Sequence, residues 1–400
     1  MKIKKRRLLR NFLLLLLIGL IIFRLFLPSI VKNYVNKVLA DLPGYHGSVT
    51  DIDIALYRGA YVIEGLKLHN NNAVSDVPFI DFPKIDISVE WKALFKGRIV
   101  SELYLYDPTL IYVIQDMEVD NSEGDDWTEA LTDLVPIEIN HFAIEGGKIA
   151  YVDTEADPYI DVSVRNFALT ADNLRNVIQE ENKLPSPITG TGIAVGNGNL
   201  TIDGKLNLIK QVPDADLNIK LETTDLTAFN EVSSKTAGID FESGEVNAYS
   251  ELAIADGFIT GYFKVLFSDT KFNSKEDGLL EKIWEGFVSF FEFVLKNKKT
   301  NNFAIKAPIE GQIESYSVKT WPTIGSIFKN AFIQAFKSDI DNDVEYQDAL
   351  LQEELDTLGF FQFKKKREVK KKIKAIEKKA EAEAKDDKDD QKEEKKNKKE

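Results

Sequence analysis

The chain contains three histidines, the side chains most often used for acid–base chemistry and for binding zinc. His46, His69 and His141 each stand alone in strand-and-turn sequence, without a second histidine at the spacing of a ligand pair. We therefore predict surface or turn histidines. The absence of cysteine excludes disulfides and thiolate chemistry. No cofactor and no metal are expected.

Two other groups of residues imitate known motifs. Ser326 and Lys329 have the Ser-x-x-Lys spacing of one acylating-enzyme family, but no companion motif accompanies them. The acidic run 339–343 begins like a calcium loop, yet Val344 and Leu350 stand where that loop needs glycine and glutamate. The sequence therefore predicts no catalytic residue and disfavours an enzyme.

Four glycines at positions 190, 192, 196 and 198 resemble a phosphate-binding loop only at first sight. The third glycine of a dinucleotide fingerprint would fall on Val195, and no lysine follows to make a P-loop. We interpret these glycines as turns, with Asn197 and Gly198 suited to a hairpin before a strand at Leu200.

The elements that must position these groups are mostly strands. From Gly44 to about Thr270, apolar and polar residues alternate between glycine, proline, asparagine and aspartate breaks. In the clearest case, Leu217, Ile219 and Leu221 are separated by polar residues. The pattern predicts more than ten successive strands with one apolar face each, which a sandwich, a barrel or a long curved sheet would satisfy.

Helical patterns appear later in the chain. Wide aromatic stripes predict amphipathic helices near 276–297 and 322–337, and a third runs from about Asp343 to Leu358 within a helical extension, 338–363. Such helices pack on a sheet, plug a lipid-filled groove or touch a membrane. The charged tail, 364–400, is predicted to be disordered or a solvated helix, or else a tether to a partner or to peptidoglycan.

The N-terminus carries a membrane-targeting pattern. A basic head, 1–11, precedes an apolar segment, 12–27, that is interrupted only by Arg24. We predict a transmembrane anchor with a cytoplasmic N-terminus. The competing interpretation is a cleaved signal peptide, but no small-x-small site follows.

The next residues, 28–42, have a helical apolar pattern. It predicts a juxtamembrane amphipathic helix or a helix packed on the protein's own first strands. The apolar positions are Val31, Tyr34, Val35, Val38, Leu39 and Leu42.

Charge is distributed unevenly around the total of −14. Residues 1–37 carry 9 basic and no acidic groups, and residues 364–400 carry 17 basic and 11 acidic groups. The body between them holds 25 basic and 54 acidic groups. An acidic body argues against nucleic acid as a partner and keeps the body away from anionic bilayer surfaces.

Three groups of residues between about positions 1 and 337 together form a recognisable pattern. The first group, an opening hairpin, consists of Gly47, Ser48, Val49, Asp51, Ile52, Asp53, Ile54, Ile63, Glu64, Gly65, Leu66 and Leu68. The middle group consists of Leu103, Leu105, Pro108, Leu110, Tyr112, Trp127, Pro136, Ile137, Ile139, Phe142, Ile144, Gly147, Ile149, Tyr151 and Asp153. The late group consists of Gly244, Val246, Tyr249, Ser250, Glu251, Asp256, Gly257, Gly261, Tyr262, Pro308, Gly311, Trp321, Asn330, Ala331, Phe332 and Phe336. Together, these patterns resemble the AsmA-like superfamily of membrane-anchored envelope proteins, in particular its shorter members of unknown function.

The resemblance implies a mainly β fold with peripheral helices, in which a transmembrane helix precedes an elongated, curved antiparallel β-groove at 43–337. It also implies a non-catalytic protein of the bacterial inner membrane, single-pass, with its body in the periplasm, that binds or transfers phospholipid. Envelope proteins are further expected partners. The alternative is a structural or assembly factor of the envelope whose apolar faces close a conventional core.

A groove of this kind would be lined by the apolar faces of the predicted strands, giving acyl chains a dry path. Sixteen strands would extend only about 75 Å. That length fits a collector or feeder of lipid, or a module working with partners, better than a bridge between two membranes. The predicted lipid-facing residues are Ile85, Ile87, Val89, Ile160, Val162, Val164, Leu200, Ile202, Leu206, Leu208, Leu217, Ile219 and Leu221.

Overall fold

The structure is a computed structural model of the 400-residue chain. It describes residues 2–42, 44–55, 59–91, 100–113, 115–116, 138–153, 160–174, 184–207, 214–237, 239–274, 303–312, 332–333, 340, 344–357 and 371.

The described chain contains three α-helices, two short 3-10 helices (Val195–Asn197 and Leu226–Phe229) and fifteen strands. The helices are α1 (Lys2–Ala40), α2 (Asn230–Ala237) and α3 (Tyr346–Thr357). The first eight strands are β1 (Tyr45–Ser48), β2 (Asp51–Ala55), β3 (Ala60–Asn70), β4 (Ile80–Val89), β5 (Val100–Tyr106), β6 (Thr109–Val113), β7 (Glu138–Asp153) and β8 (Ile160–Leu174). The others are β9 (Ser186–Ala194), β10 (Asn199–Asn207), β11 (Asp214–Asp225), β12 (Ile239–Ala255), β13 (Phe258–Ser274), β14 (Phe303–Gln312) and β15 (Phe332–Ile333).

Two units are distinguished by their internal packing. Unit 1 comprises residues 1–175 and 190–195, and unit 2 comprises residues 176–189 and 196–400. The fold class is the predicted one, since strands dominate the described chain and an apolar helix precedes them.

In unit 1, β3 pairs antiparallel with β1 and β2 on one side and with β4 on the other. Gly65 lies on β3 opposite the break between β1 and β2 and has φ of 62°, a conformation that glycine adopts without strain. A Cβ there would lie 2.3 Å from Thr50 Oγ1. The bend between the first two strands therefore depends on this glycine.

The pairing in unit 1 is mixed rather than wholly antiparallel. Strand β4 pairs antiparallel with β5 and β6, but β7 runs parallel to both of them and antiparallel to β8. Parallel neighbours need a long crossover, and residues 114–137 lie between β6 and β7. The predicted antiparallel pairing holds among β1 to β6 and between β7 and β8, and β7 departs from it where it runs parallel to β5 and β6.

In unit 2, strands β10 to β15 pair in chain order, and every printed pair is antiparallel. This order is that of a meander, as the repeated alternation between turn signals predicts. Helix α3 packs against β12, where Ala253, Ala255 and Ala349 are completely buried. Alanines at this contact allow the helix to approach the sheet closely.

The core of unit 1 joins the end of α1 to the first strands. Val35 and Leu39 belong to one buried cluster with Val49, Ile52, Ile63, Leu66, Leu68, Ile80, Phe82, Ile85, Ile87, Leu103 and Leu105. Val31 and Leu42 pack against this cluster, whereas Tyr34 is exposed. Of the two interpretations of residues 28–42, the structure has the helix packed on the protein's own first strands. That helix continues without a break from the apolar segment, with Pro28 inside it.

Several sequence predictions fall on particular residues of the later chain. Phe332 and Ile333 form β15 and pair with Lys306 and Ile305, so these two residues are not part of the predicted helix 322–337. Backbone pairing with a neighbouring strand overrides the helical spacing of apolar residues here. The rest of that helix, the predicted helix 276–297 and almost all of the tail lie outside the described residues. Helix α3 lies within the predicted extension.

The glycines at positions 190 and 192 lie inside strand β9, so interpreting them as turns is wrong. A side chain at position 192 would meet Val164 and Phe167, which explains a glycine within a strand. The turn prediction is right for Gly196 and Asn197, which have φ of 67° and 56° and precede β10.

Candidate functional site

The sheet of unit 2 has one apolar face that crosses strands β10 to β13. Residues directly opposite each other in an antiparallel pair lie on the same face. The register joins Ile202 to Ile219, Ile219 to Ser250 and Ser250 to Phe263. We define the apolar face by the residues so joined: Leu200, Ile202, Leu206, Ala215, Leu217, Ile219, Leu221, Ala248, Leu252, Ile254, Ile259, Phe263 and Val265. Ser250 is its polar member.

The opposite side of the same strands is polar. The register there joins Lys220 to Tyr249 and Tyr249 to Lys264. We define the polar face as Thr201, Asp203, Lys205, Asp216, Asn218, Lys220, Tyr249, Glu251, Ala253, Thr260, Tyr262 and Lys264. Within unit 2, the sheet thus has two chemically distinct sides.

Burial on the two faces differs from that of a conventional core. On the polar face, Tyr249, Glu251 and Lys264 are 1%, 2% and 0% exposed, whereas Asp203 and Lys205 on β10 are exposed. On the apolar face, only Leu206, Ala215 and Ser250 are buried, and the other members are half-buried. A sheet normally buries its apolar side. The apolar face is therefore incompletely covered, while two charged groups on the polar face, Glu251 and Lys264, are enclosed.

Hydrogen bonds and ring contacts accommodate the enclosed polar groups. The Tyr249 hydroxyl donates to a Glu222 carboxylate oxygen at 3.0 Å. The Lys264 ammonium lies 5.5 Å and 5.7 Å from the ring centres of Tyr249 and Tyr262. Contacts between a cation and an aromatic face offset part of the cost of removing the charge from water.

The start of α3 is held on the polar side by three carboxylates. The Val344 and Tyr346 backbone N–H groups donate to Glu251 at 3.0 Å and to Asp216 at 3.1 Å. The Tyr346 hydroxyl donates to Asp214 at 3.0 Å. Negative groups at a helix N-terminus satisfy N–H groups that have no partner within the helix. The polar face therefore serves as the docking surface of α3.

Burial raises the pKa values of Asp216 and Tyr346 at this contact. Removal from water raises the pKa of Asp216, and the hydrogen bond from Tyr346 opposes that shift without cancelling it. Burial and the neighbouring Asp214 raise the pKa of the Tyr346 phenol well above its ordinary range. Tyr346 therefore remains a neutral donor to Asp214 at any physiological pH.

The predicted lining of unit 1 is mostly closed. Ile85 and Ile87 are 7% and 2% exposed and belong to the same buried cluster as Leu39 of α1. They are core residues, so the prediction that they face lipid is wrong. The reason is that α1 brings its own apolar side onto the first strands. Val89, two residues after Ile87 on β4, is half-buried.

A more open apolar stretch of unit 1 lies on β7 and β8. Ile149 is opposite Val164, and Tyr151 is opposite Val162. Ile149 is 36% exposed, both valines are half-buried, and Ile160 is buried. The remaining predicted lining residue, Leu208, lies outside the described residues. Of the thirteen predicted positions, those on β8, β10 and β11 are therefore half-buried within their own units, except for the buried Ile160 and Leu206.

The histidines are arranged differently from the sequence prediction. His46 on β1 and His69 on β3 are directly opposite each other, with stacked rings whose centres are 5.4 Å apart. Interpreting each histidine as isolated is wrong for this pair. His141 is separate and lies with Nδ1 2.7 Å from an Asp172 carboxylate oxygen. Spacing along the chain missed the pair because antiparallel pairing, and not sequence proximity, brings the two rings together.

The remaining candidates are larger metal clusters and the two imitated motifs. Within the described residues, no group of three or more histidine or carboxylate side chains is arranged to hold a metal. Ser326, Lys329 and most of the acidic run 339–343 lie outside the described residues.

No protein-family model matches the chain, and no curated protein sequence matches it. The fold itself defines a mainly β protein preceded by one helix, Asn11–Ala40, that is long and apolar enough to cross a membrane. None of the 18-residue window that carries this property is buried against the protein.

Proposed function

We propose that this chain is a membrane-anchored envelope protein that binds or transfers phospholipid, holding acyl chains on the apolar face of unit 2. The proposal keeps the expected AsmA-like relationship, a bacterial inner-membrane anchor and a periplasmic body. It includes no catalytic step.

The single observation that supports this proposal is the incomplete burial of the apolar face of unit 2. Half-buried residues such as Ile219, Leu221 and Phe263 keep part of their surface in contact with water, at a cost of roughly 25 cal/mol for each Å² of apolar surface. A ligand that covers them recovers this free energy. An acyl chain is such a ligand, since it needs apolar contact and no hydrogen-bonding partner.

The dimensions of the apolar face fit one acyl chain. Four strands, β10 to β13, cross it at a spacing of about 4.8 Å, and its members extend over seven residues along each strand. The face is therefore about 15 Å wide and roughly 20 Å long. One leaflet of a bilayer has a hydrocarbon depth of about 15 Å.

The N-terminal helix favours lipid over other apolar ligands. Residues such as Leu15, Leu25 and Phe26 are more than half exposed, and a bilayer is the environment that would cover them. A chain tethered in this way meets phospholipid at high local concentration. The basic residues before the span favour a cytoplasmic N-terminus, which would leave the body on the far side.

An envelope scaffold is the second candidate, and the closed core of unit 1 favours it. There, α1 covers Ile52, Ile63 and Leu68 as in any conventional domain. A scaffold would use the apolar face of unit 2 for a protein partner. The two candidates therefore differ in what occupies that face.

Site-specific photocrosslinking distinguishes the two candidates. A photoreactive residue replaces Ile219 on the apolar face or, as the matched control, Lys220 on the polar face of the same strand. Both positions are half-buried, so they differ mainly in which side of the sheet they occupy. The full chain is irradiated in native membranes, purified and analysed by mass spectrometry.

We expect a phospholipid adduct from position 219 and at least fivefold less from position 220. Equal labelling at both positions would indicate general contact with detergent or bilayer and would contradict the proposal. Protein adducts at position 219 without lipid adducts would replace lipid binding with the scaffold function.

A further inference from the structure

The three histidines of the chain are not equivalent, because the fold brings two of them together. His46 and His69 are cross-strand partners in unit 1, and their rings are stacked at an interplanar angle of 15°. His46 is exposed and His69 is half-buried, so solvent ions reach the pair. An exposed pair of imidazoles is a set of two borderline-soft nitrogen ligands.

The hydrogen bond of His46 orients one ligand nitrogen. Its Nδ1 lies 2.6 Å from Asn71 Oδ1, and since an amide oxygen can only accept, the ring donates from Nδ1. The neutral ring then carries its lone pair on Nε2. Metal-binding histidines are commonly held in this way, with the second ring nitrogen donating to an oxygen.

The distance between the rings suits binding of one ion. Two imidazoles on a tetrahedral ion, each with a metal–nitrogen distance of about 2.0–2.1 Å, have ring centres about 5 Å apart. The observed separation is 5.4 Å. Coordination of one ion by both Nε2 atoms requires the rings to rotate about their side-chain bonds out of the stacked arrangement.

The charges beside the pair permit a cation. Lys67 lies on β3 two residues before His69, and its ammonium is 3.1 Å from the Asp81 carboxylate, which offsets its charge. His69 makes no side-chain hydrogen bond to any residue that the structure describes, so coordination there would displace no hydrogen bond.

We propose that His46 and His69 form a surface site for one divalent transition-metal ion, with solvent completing the coordination. Imidazole ligands and the general order of divalent affinities select Cu²⁺ as the tightest-binding probe, followed by Ni²⁺ and Zn²⁺. The site stands independently of lipid binding, because it lies in unit 1 and uses none of the apolar face.

Copper titration of the full chain in mild detergent tests this site. Isothermal titration calorimetry gives affinity and stoichiometry, and electron paramagnetic resonance of the bound Cu²⁺ reports the number of coordinating imidazole nitrogens. The variants are His46→Ala and His69→Ala, with His141→Ala as the matched control, since His141 pairs with Asp172 elsewhere in unit 1. Thermal unfolding of each metal-free variant checks the fold.

We expect one saturable Cu²⁺ with two nitrogen ligands, weakened at least tenfold by either His46→Ala or His69→Ala and less than twofold by His141→Ala. If either pair variant fails to fold, His46→Gln and His69→Gln retain polarity and are expected to give the same loss. Binding unchanged in both pair variants, or equally weakened by His141→Ala, would leave an adventitious ion only and overturn the site.

Discussion

Tyr61 on β3 is a phenol held largely away from water. It lies opposite Ile54 and Ile87 and packs against the buried cluster of unit 1. Burial raises its pKa to about 12. Because the charged phenolate is disfavoured in the folded chain, the contribution of Tyr61 to stability is complete below pH 10 and is lost as the pH rises towards 12.

The substitution Tyr61→Phe is predicted to reduce the alkaline sensitivity of the protein. Between pH 9 and pH 11, the free energy of unfolding of the unchanged chain should fall by about 1 kcal/mol more than that of the variant. Chemical unfolding in mild detergent at the two pH values measures this difference. As a control, Tyr34→Phe removes an exposed hydroxyl on α1, and the free energy of unfolding of this variant should depend on pH in the same way as that of the unchanged chain. Equal slopes for Tyr61→Phe and the unchanged chain would contradict the prediction.

The histidine pair illustrates what the sequence could not predict at this scale. His46 and His69 are separated by a hairpin, and their contact depends on the register of β1 on β3. The alternation of apolar and polar residues predicts which face a residue occupies, but a strand pair can adopt several registers with the same parity. Predicting the histidine pair therefore requires knowledge of which strands pair and in which register.

At the scale of elements, α3 is the helix whose docking depends most on small residues. Ala349 is completely buried against Ala253 and Ala255, while three carboxylates hold the first turn. Both kinds of contact lie on the polar face of unit 2. The helix therefore covers charged groups that would otherwise be exposed to solvent.

The substitution Ala349→Leu is predicted to displace α3 from the sheet. A larger side chain has no space between alanines, and overpacking typically costs 1–3 kcal/mol. Hydrogen exchange should show faster exchange at the Val344 and Tyr346 N–H groups, which donate to Glu251 and Asp216. Gln347→Leu places the same side chain at an exposed position of the same helix and should leave this exchange unchanged. Unaltered protection in Ala349→Leu would show that the carboxylates alone hold the helix.

The elements predicted from alternation were mostly correct. Strands β2, β3, β4, β7, β10 and β11 lie where apolar residues recur at every second position, because one face of each contacts other protein groups and the other meets solvent. Two features escaped this argument. The parallel position of β7 depends on a crossover, and Phe332 and Ile333 adopt a strand because β14 offers them hydrogen-bonding partners. Neither depends on local composition.

The sequence predicted which residues belong to apolar faces, but it did not predict which of those faces are exposed. Alternation identified Ile85 and Ile219 equally well as members of apolar faces. Only the packing of α1 on the first strands separates the two, since Ile85 is buried with Leu39 while Ile219 remains half-buried. Which apolar face is covered depends on contacts between elements that are distant in sequence.

For the whole molecule, the apolar helix and the acidic body have opposite preferences for a bilayer. Residues 12–27 favour the hydrocarbon interior, whereas the body between residues 38 and 363 carries a net charge of −29 and is repelled by anionic lipid surfaces. Membrane association should therefore depend on the helix alone. Contact between the body and lipid would require the apolar face rather than charge.

Deletion of residues 12–27 is predicted to release most of the protein molecules from membranes. The unchanged chain should remain in the membrane pellet after alkaline carbonate washing, because a spanning helix is not removed with peripheral proteins. Deletion of the charged tail, 364–400, should leave that behaviour unaltered and provides the control. Retention of the 12–27 deletion in the washed pellet would show that another part of the chain also inserts.

The parallel position of β7 imposes an order on folding during synthesis. Strands β3 to β6 can pair with earlier neighbours as each one is completed, but the outer edges of β5 and β6 wait until residues 114–137 and all of β7 have been made. Until then, two strand edges expose free N–H and C=O groups, the usual starting point of misassociation. A ribosome or translocon that pauses between residues 113 and 153 would therefore hold the nascent chain in its most aggregation-prone state.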